Sequence, residues 1–325
     1  MSTGAPISPG PAACGGVVVT FFPDAEFEAR LGAIAREVSP LLVVDNSADP
    51  AVRNRLEAVT DRCGGRFLPN AANLGTAAAL NRGFAELARL GCGWAVAFDQ
   101  DSAPAPGLAG RLRACAGSDP FRPAAVVGAN WTDAARGTPA LHLIRHPRSR
   151  LRFQRVAAAQ DLPAVTTVIM SGSLFSLEAW RELGGFDESL FLDLVDSDYC
   201  LRAREAGWAV RVAAEAGLVH PRGRKRPVRF CGRTWWPAFM PPPRLHTLFR
   251  NRVLLFRRHA WREPHWAAFE TAYALKILAE VAFLEDAKLA RLGACLRGTG
   301  AGIVGRRGIV NFVPPHSGPE PGRAA

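Results

Sequence analysis

Short apolar runs, some ending on acidic residues, alternate with stretches of helical periodicity through the first hundred residues, and few folds accept that alternation. Val17 to Phe22 reads as a buried strand, Phe27 to Val38 as a helix, Leu41 to Asp45 as a second strand and Ala51 to Cys63 as a second helix. Thr76 to Leu90, rich in Ala and Leu, reads as a further helix, and Trp94 to Phe98 as a strand followed by Asp99 and Asp101. Strands joined through amphipathic helices pair in parallel, and the helices then cover both faces of the sheet. The expected fold class is therefore α/β, Rossmann-like, with a mostly parallel sheet. Ligands of such sheets bind beyond the carboxyl ends of the strands, where Asp45 and Asp99 stand. Ala125 to Val127 is another strand candidate, and Val165 to Met170 reads as a buried strand running into the turn-prone Ser171, Gly172 and Ser173.

The chain changes character at Pro221. Residues 163 to 220 carry nine acidic and four basic side chains, whereas residues 221 to 262 hold twelve basic residues, no Asp or Glu, and Pro221, Pro227, Pro237 and Pro241 to Pro243. This shift predicts a disordered tail over 1–14, an α/β domain over 15–222 and a basic, mainly helical C-terminal extension over 223–325. In the extension, Phe269, Tyr273, Ile277, Val281 and Leu284 recur at helical spacing, and Gly298, Gly300, Gly302, Gly305 and Gly308 are expected to end the helix.

The net charge is +11, and with only three lysines nearly all the positive charge is guanidinium, the group suited to bidentate phosphate contact. A codon bias toward Arg produces the same excess. Trp235, Trp236, Phe239 and Met240 lie among these arginines, so the stretch reads as a solvated surface, as a peripheral contact for an anionic membrane, or as a diphosphate contact through Arg250 and Arg252. A pI near 10.2 also fits nucleic-acid binding. No helix-turn-helix, zinc-finger or RNA-binding signature accompanies it, and no nucleic acid is expected. Seven scattered cysteines without a CxxC pair argue against a disulfide framework and a zinc ribbon. No signal peptide is visible at the N-terminus, and the longest apolar stretch, Trp266 to Leu284, is broken by Glu270, Lys276 and Glu280. A cytoplasmic protein, at most peripheral on the inner face of the membrane, is the expectation.

Asp99-Gln100-Asp101-Ser102 puts two carboxylates in a turn at a strand's carboxyl end. Such a pair suits a hard divalent cation, Mg2+ or Mn2+, that holds a diphosphate, and it equally suits a solvated turn. Asp45 and Asn46 also make an ordinary Asx-turn possible after their strand. Asp193, Asp196 and Asp198 precede a helix from Tyr199 to Ala206. Asp198 and Arg202 are four apart, the spacing of a helix ion pair worth ~0.3 kcal/mol. Asp196 has no such partner; it is a helix cap or a general base.

Taken in order, the strand ending in Asp45, the NLG of Asn73 and Gly75, DQDS, SGSLFS, GGFDESLF, LVDSDYCLRA and His220 resemble the inverting GT-A glycosyltransferases of family 2, and most of all their rhamnosyltransferase branch. The likeness runs from about Val17 to His220, and RNRVLLFRRH and AGIVGRRG resemble that branch's C-terminal extension. Phe22 stands where such enzymes usually carry Asn, and Val195 where many have Glu, the second departure being shared by the rhamnosyltransferase branch.

The resemblance implies a transferase that moves a sugar, L-rhamnose from dTDP-rhamnose, from a nucleotide-sugar donor to a hydroxyl of a saccharide or lipid-linked saccharide acceptor. A UDP-hexose or UDP-galactofuranose donor is the alternative. The implied donor-binding residues are Thr20, Pro23, Asp45, Asn73, Gly75 and Asp99, with Asp45 accepting from the pyrimidine ring N–H. Asp101 and His220 would bind the divalent cation, although His220 also fits a satisfied histidine at a domain junction. Asp196 would be the catalytic base, an ordinary ionised Asp needing only to be positioned. Gly172, Asp193 and Arg250 are candidates for acceptor or diphosphate contact. The QxxRW signature of processive synthases is absent, which favours one sugar per encounter.

Overall fold

The computed structural model describes residues 13–119, 122–221 and 226–308. Strand β1 (Cys14–Thr20) leads through α1 (Phe27–Ala35) to β2 (Leu41–Asp45), α2 (Pro50–Arg62), β3 (Arg66–Pro69), α3 (Gly75–Arg89) and β4 (Trp94–Asp99). After β5 (Ala103–Pro104) and α4 (Leu108–Ala116) come β6 (Ala124–Asp133), the pair β7 (His142–Arg145) and β8 (Phe153–Val156), β9 (Ser173–Ser176), α5 (Leu177–Glu182), α6 (Val195–Glu205) and β10 (Ala209–His220). A hairpin of β11 (Val228–Phe230) and β12 (Arg233–Trp235) precedes three helices, α7 (Pro242–His259), α8 (Pro264–Phe283) and α9 (Lys288–Ile303). Residues 1–12 of the tail expected over 1–14 lie outside the described residues, and Cys14 already begins β1.

Eight strands form one sheet in the order β3-β2-β1-β4-β9-β6-β10-β5. Four of its seven ladders are parallel, and β9 runs against both β4 and β6. Alternation along the strands sends successive residues to opposite faces. Val17, Leu42 and Val44 pack with Leu80 and Phe84 of α3 and Tyr199 of α6, while Val18 and Val43 pack with Leu31 of α1, Leu56 of α2 and Leu112 of α4. The start of α2 shows how local sequence sets these elements: the Asp49 carboxylate accepts from the Val52 N–H and Pro50 occupies the first turn, where its missing donor costs nothing.

Two expectations are corrected. Val165 to Met170 is not a strand; its backbone makes scattered ties, among them Val165 N–H to the Val210 carbonyl and Thr166 N–H to the Leu143 carbonyl, rather than a ladder, and the ladder strand is β9 beyond Gly172. Nor do Gly298, Gly300 and Gly302 end a helix. They lie inside α9, where Gly298 and Gly302 let α7 approach: a Cβ on Gly298 would collide with the His246 carbonyl, and one on Gly302 would come within 2.6 Å of the Arg250 carbonyl oxygen. The C-terminal helices have a core of their own around Leu245, Phe249, Ile277 and Val281, and Leu255 and Trp266 join the main core.

Candidate active site

The registers of the sheet bring distant residues to one edge. Thr20 lies opposite Asp45, and Val19 opposite both Val44 and Asp99, so β1, β2 and β4 end level. Because β9 opposes both β4 and β6, and β10 is parallel to β6, His220 at the end of β10 emerges on the same side. A cleft of about 400 Å3 opens there, lined among others by Thr20, Asn73, Gly75, Asp99, Asp101, His220 and Arg244.

Asp45 is wholly buried. Its Oδ1 accepts from the hydroxyls of Thr20 (2.9 Å) and Ser47 (2.7 Å), while its Oδ2 is buried with no hydrogen-bond partner. A buried acceptor without a donor is costly, and a ligand N–H would satisfy it. Asn46 ties the end of β2 to α3, donating to the Gly75 carbonyl and accepting from Asn70. Asn73 accepts from the Gly75 N–H, closing the turn into α3. Gly75, at φ +82°, sits where a Cβ would collide with Phe191. Across the cleft mouth, Gln100 and the Phe21 backbone exchange two hydrogen bonds. Phe22 is held at φ +47° with its N–H on the Ser47 hydroxyl, a conformation Asn tolerates better than Phe.

Asp99, Asp101 and His220 place one ligand atom each within 4.8 Å of one another. Burial pushes the Asp101 carboxyl up to about 6, the charge of Asp99 adds to this, and His220 opposes it. Asp101 Oδ1 is buried without a hydrogen-bond partner, 3.5 Å from His220 Nδ1. The imidazole is braced: Ser102 Oγ lies 2.8 Å from its Nδ1 and 2.6 Å from Ser171 Oγ, which accepts from the Asp99 N–H. Two mutually repelling carboxylates, an orphaned oxygen and an oriented imidazole fit a divalent cation such as Mg2+ or Mn2+. The sequence flagged Ser102 in DQDS and Ser171 in SGSLFS separately, but not their pairing, which joins residues 69 apart.

Asp196 opens α6 after an unusual approach. Phe191, Asp193 and Leu194 all have left-handed backbones, at φ +66°, +60° and +62°. Such residues cost ~1–3 kcal/mol each and persist only when the surroundings over-determine them. Here α7 does so. The Asn251 amide donates to the carbonyls of Leu190 (2.9 Å), Leu192 (2.7 Å) and Asp193 (2.9 Å), Arg250 donates to the Leu190 carbonyl, and Arg244 forks onto the Asp193 carboxylate. Asp196 itself is half-buried and accepts from the Ser197 N–H at 2.7 Å. Burial pushes its carboxyl up to about 6 against that hydrogen bond, with Asp99, Asp193 and Glu270 adding like charge. It is therefore not an ordinary Asp, and it lies near enough to the metal-type cluster to feel Asp99.

The other expected residues stand apart. Arg250 is buried, with its guanidinium on the Gly308 and Leu190 carbonyls and the Asn251 side chain, and Arg252 pairs with Glu270 in the interior. Neither lines the cleft; among the described residues the arginine that does is Arg244. Gly172 packs on Leu218 and donates to the Ala97 carbonyl, and the Pro23 carbonyl accepts from Arg55; neither is in the cleft wall. Asp193 reaches the cleft only through Arg244. Asp198 is no surface helix pair: it is fully buried, with Arg202 at 2.7 Å, Arg258 at 2.6 Å and His259 at 3.1 Å.

No family model matches the chain. In sequence it is 28% identical over 248 residues to a dTDP-rhamnosyl transferase, RfbF of Shigella flexneri, covering 75% of this chain and 79% of that protein. In structure it resembles residues 1–349 of TarS from S. aureus (TM-score 0.54, 12% identity, 88% of this chain and 81% of that one). It also resembles the mannosyltransferase PcManGT from Pyrobaculum calidifontis, solved with GDP-Man and Mn2+ (TM-score 0.54, 15% identity, 92% and 89%). At such identities the solved structures show the fold alone. The chain therefore has the GT-A glycosyltransferase fold and is similar in sequence to a dTDP-rhamnosyl transferase.

Proposed function

We propose that the chain is an inverting, metal-dependent glycosyltransferase of family 2, with its catalytic domain over 15–222, that moves L-rhamnose from dTDP-rhamnose to a hydroxyl of a cell-surface polysaccharide or lipid-linked saccharide, one sugar at a time. The observation that carries this reading is a single cleft with Asp99, Asp101 and His220 in its wall, the orphaned Asp45 Oδ2 buried directly behind the cleft-lining Thr20 and Asn46, and Asp196 within electrostatic reach of Asp99. The Shigella relative supports the donor, being a dTDP-rhamnosyl transferase. Asp45 would accept the ring N–H of the base, Thr20 would keep its other oxygen occupied, and Asn73 and Gly75 would flank the nucleoside. Asp101 and His220, with Asp99 beside them, would hold the cation, which acts when bound as a Lewis acid toward the leaving diphosphate. Asp196 would take the proton of the acceptor hydroxyl as its oxygen bonds to the anomeric carbon. A base pushed up to about 6 holds that proton better than an ordinary Asp and is still mostly ionised at neutral pH. Displacement from the face opposite the diphosphate inverts the anomeric centre without a covalent intermediate.

Uracil and thymine offer Asp45 the same N–H, so a UDP-hexose or UDP-galactofuranose donor is the second reading. A cytoplasmic site of action, with the basic helical extension lying peripherally on the anionic inner face of the membrane, completes the proposal. Calorimetry with dTDP-rhamnose, UDP-glucose, UDP-galactose and GDP-mannose, each with and without Mn2+, tests the donor assignment. Mn2+-dependent binding of dTDP-rhamnose is expected, and binding of GDP-mannose alone would overturn the pyrimidine reading.

A further inference from the structure

Behind the wall of the cleft lies a second cavity, also of about 400 Å3. One ring contact and one longer-range charge interaction link the two. Trp131, which lines the second cavity, meets His220 of the cleft edge-on with ring centroids 6.2 Å apart. Arg244 of the cleft lies within the electrostatic reach of both Asp99 and Tyr273, and Tyr273 lines the second cavity. Asp196 feels Asp99 on the cleft wall and also Glu270, the chain neighbour of the cavity-lining Phe269.

The chemistry of the second cavity differs from that of the first. Trp131, Trp236, Phe269 and Tyr273 give it aromatic faces, with Phe269 and Tyr273 nearly parallel at 3°. Around them stand Arg136, Arg155 and Lys276 together with the carboxylates of Asp133 and Glu280. Aromatic faces stack against the C–H faces of a sugar ring, and mixed donors and acceptors satisfy hydroxyls, which both donate and accept. Lys276 pairs with Glu280 and Arg155 lies over the Phe269 ring, so the lining is polar without a net cationic face, and a nucleotide diphosphate would meet the carboxylates of Asp133 and Glu280.

We propose that this second cavity binds the acceptor saccharide and presents its hydroxyl across the His220–Arg244 wall toward Asp196. The proposal rests on the glycosyltransferase reading for its purpose, but its binding test does not depend on turnover. Saturation-transfer NMR on the full chain, with methyl glycosides and disaccharides of rhamnose, glucose, galactose and N-acetylglucosamine as probes, reads saccharide binding directly. The expected result is saturation of the ring C–H protons of at least one probe, undiminished by excess UDP or dTDP. Trp236→Ala and Tyr273→Ala should weaken binding by about tenfold each, and Tyr273→Phe should preserve it. Nucleotide binding measured on the same variants shows that they are folded. The absence of any bound probe on the wild-type chain, displacement of the probe by nucleotide, or unchanged binding by Trp236→Ala would each overturn the proposal. Saccharide binding without nucleotide binding would leave the second cavity standing while sinking the donor reading, and the reverse result would do the opposite.

Discussion

Asp196 works against the stability of its own fold. A carboxyl raised from its ordinary value of 3.8 to about 6 favours the folded state while protonated, an advantage fully present below about pH 4 and lost as pH rises through 6. Above that range the folded chain carries a penalty, which Asp196→Asn removes. The variant is expected to unfold at a higher temperature than the wild type at pH 7.5, by the equivalent of ~1–3 kcal/mol, while nucleotide binding persists and sugar transfer is lost. A thermal scan and a transfer assay on one preparation check both halves, and full transfer activity would remove Asp196 from the reaction. The pH profile of kcat/KM should fall on its acid side near pH 6 rather than near 4. The sequence made Asp45, Asp99 and Asp101 legible because strand ends in an α/β sheet are where ligands bind. It could not show the raised pKa of Asp196, because burial and the fields of Asp99, Asp193 and Glu270 come from elements far apart in the chain.

Helix α7 is the element whose role the sequence concealed. Its arginines read as phosphate ligands, since charge alone does not distinguish a guanidinium facing a cleft from one satisfied by backbone carbonyls. In the fold, Arg250 and Asn251 hold the left-handed segment before Asp196, while Arg258 and His259 grip Asp198 of α6. Asn251→Ala would leave three carbonyls without their shared donor and let the segment relax. The expected outcome is a fall in kcat of about 10- to 100-fold with nucleotide affinity unchanged, because Asp45 and Asp101 sit on other elements. Steady-state kinetics beside calorimetry separates this from general unfolding, and a parallel loss of nucleotide binding would refute it. Asp198 makes the complementary case for stability. Burial alone would raise its carboxyl, but His259, Arg202 and Arg258 outweigh burial and hold it at about 2. Its contribution is therefore present above about pH 4 and lost as pH falls toward 2. Asp198→Asn leaves Arg202 and Arg258 with an uncharged partner and should cost ~3–5 kcal/mol in a urea titration at neutral pH.

At the scale of the whole molecule, the fold redistributes the surplus of positive charge. In the basic stretch, Arg250 and Arg252 are interior, Arg258 is engaged with Asp187 and Asp198, and residues 222–225 lie outside the described ones. Helix α9 offers a better match to an anionic membrane surface. Leu289, Leu296 and Ile303 recur every seven residues and are 88%, 74% and 62% exposed. Seven residues fall about 20° short of two full turns, so the three side chains form one stripe, away from the Gly298 and Gly302 positions that seat α9 on α7. Lys288, Arg297, Arg306 and Arg307 are exposed on α9 and just beyond it, and residues 288–308 contain no Asp or Glu. Apolar side chains entering the headgroup region would fix the helix, and each nearby cation adds ~1 kcal/mol on an anionic leaflet, screened by salt. The chain should therefore float with phosphatidylglycerol vesicles at low ionic strength and not with phosphatidylcholine vesicles, and it should detach as salt is raised. Leu296→Glu puts a charge into the centre of the stripe without touching the cleft, and it should abolish flotation while sparing nucleotide binding. A wild-type chain that ignores phosphatidylglycerol vesicles would remove the membrane from the proposed function, and the acceptor would then have to reach the enzyme from solution.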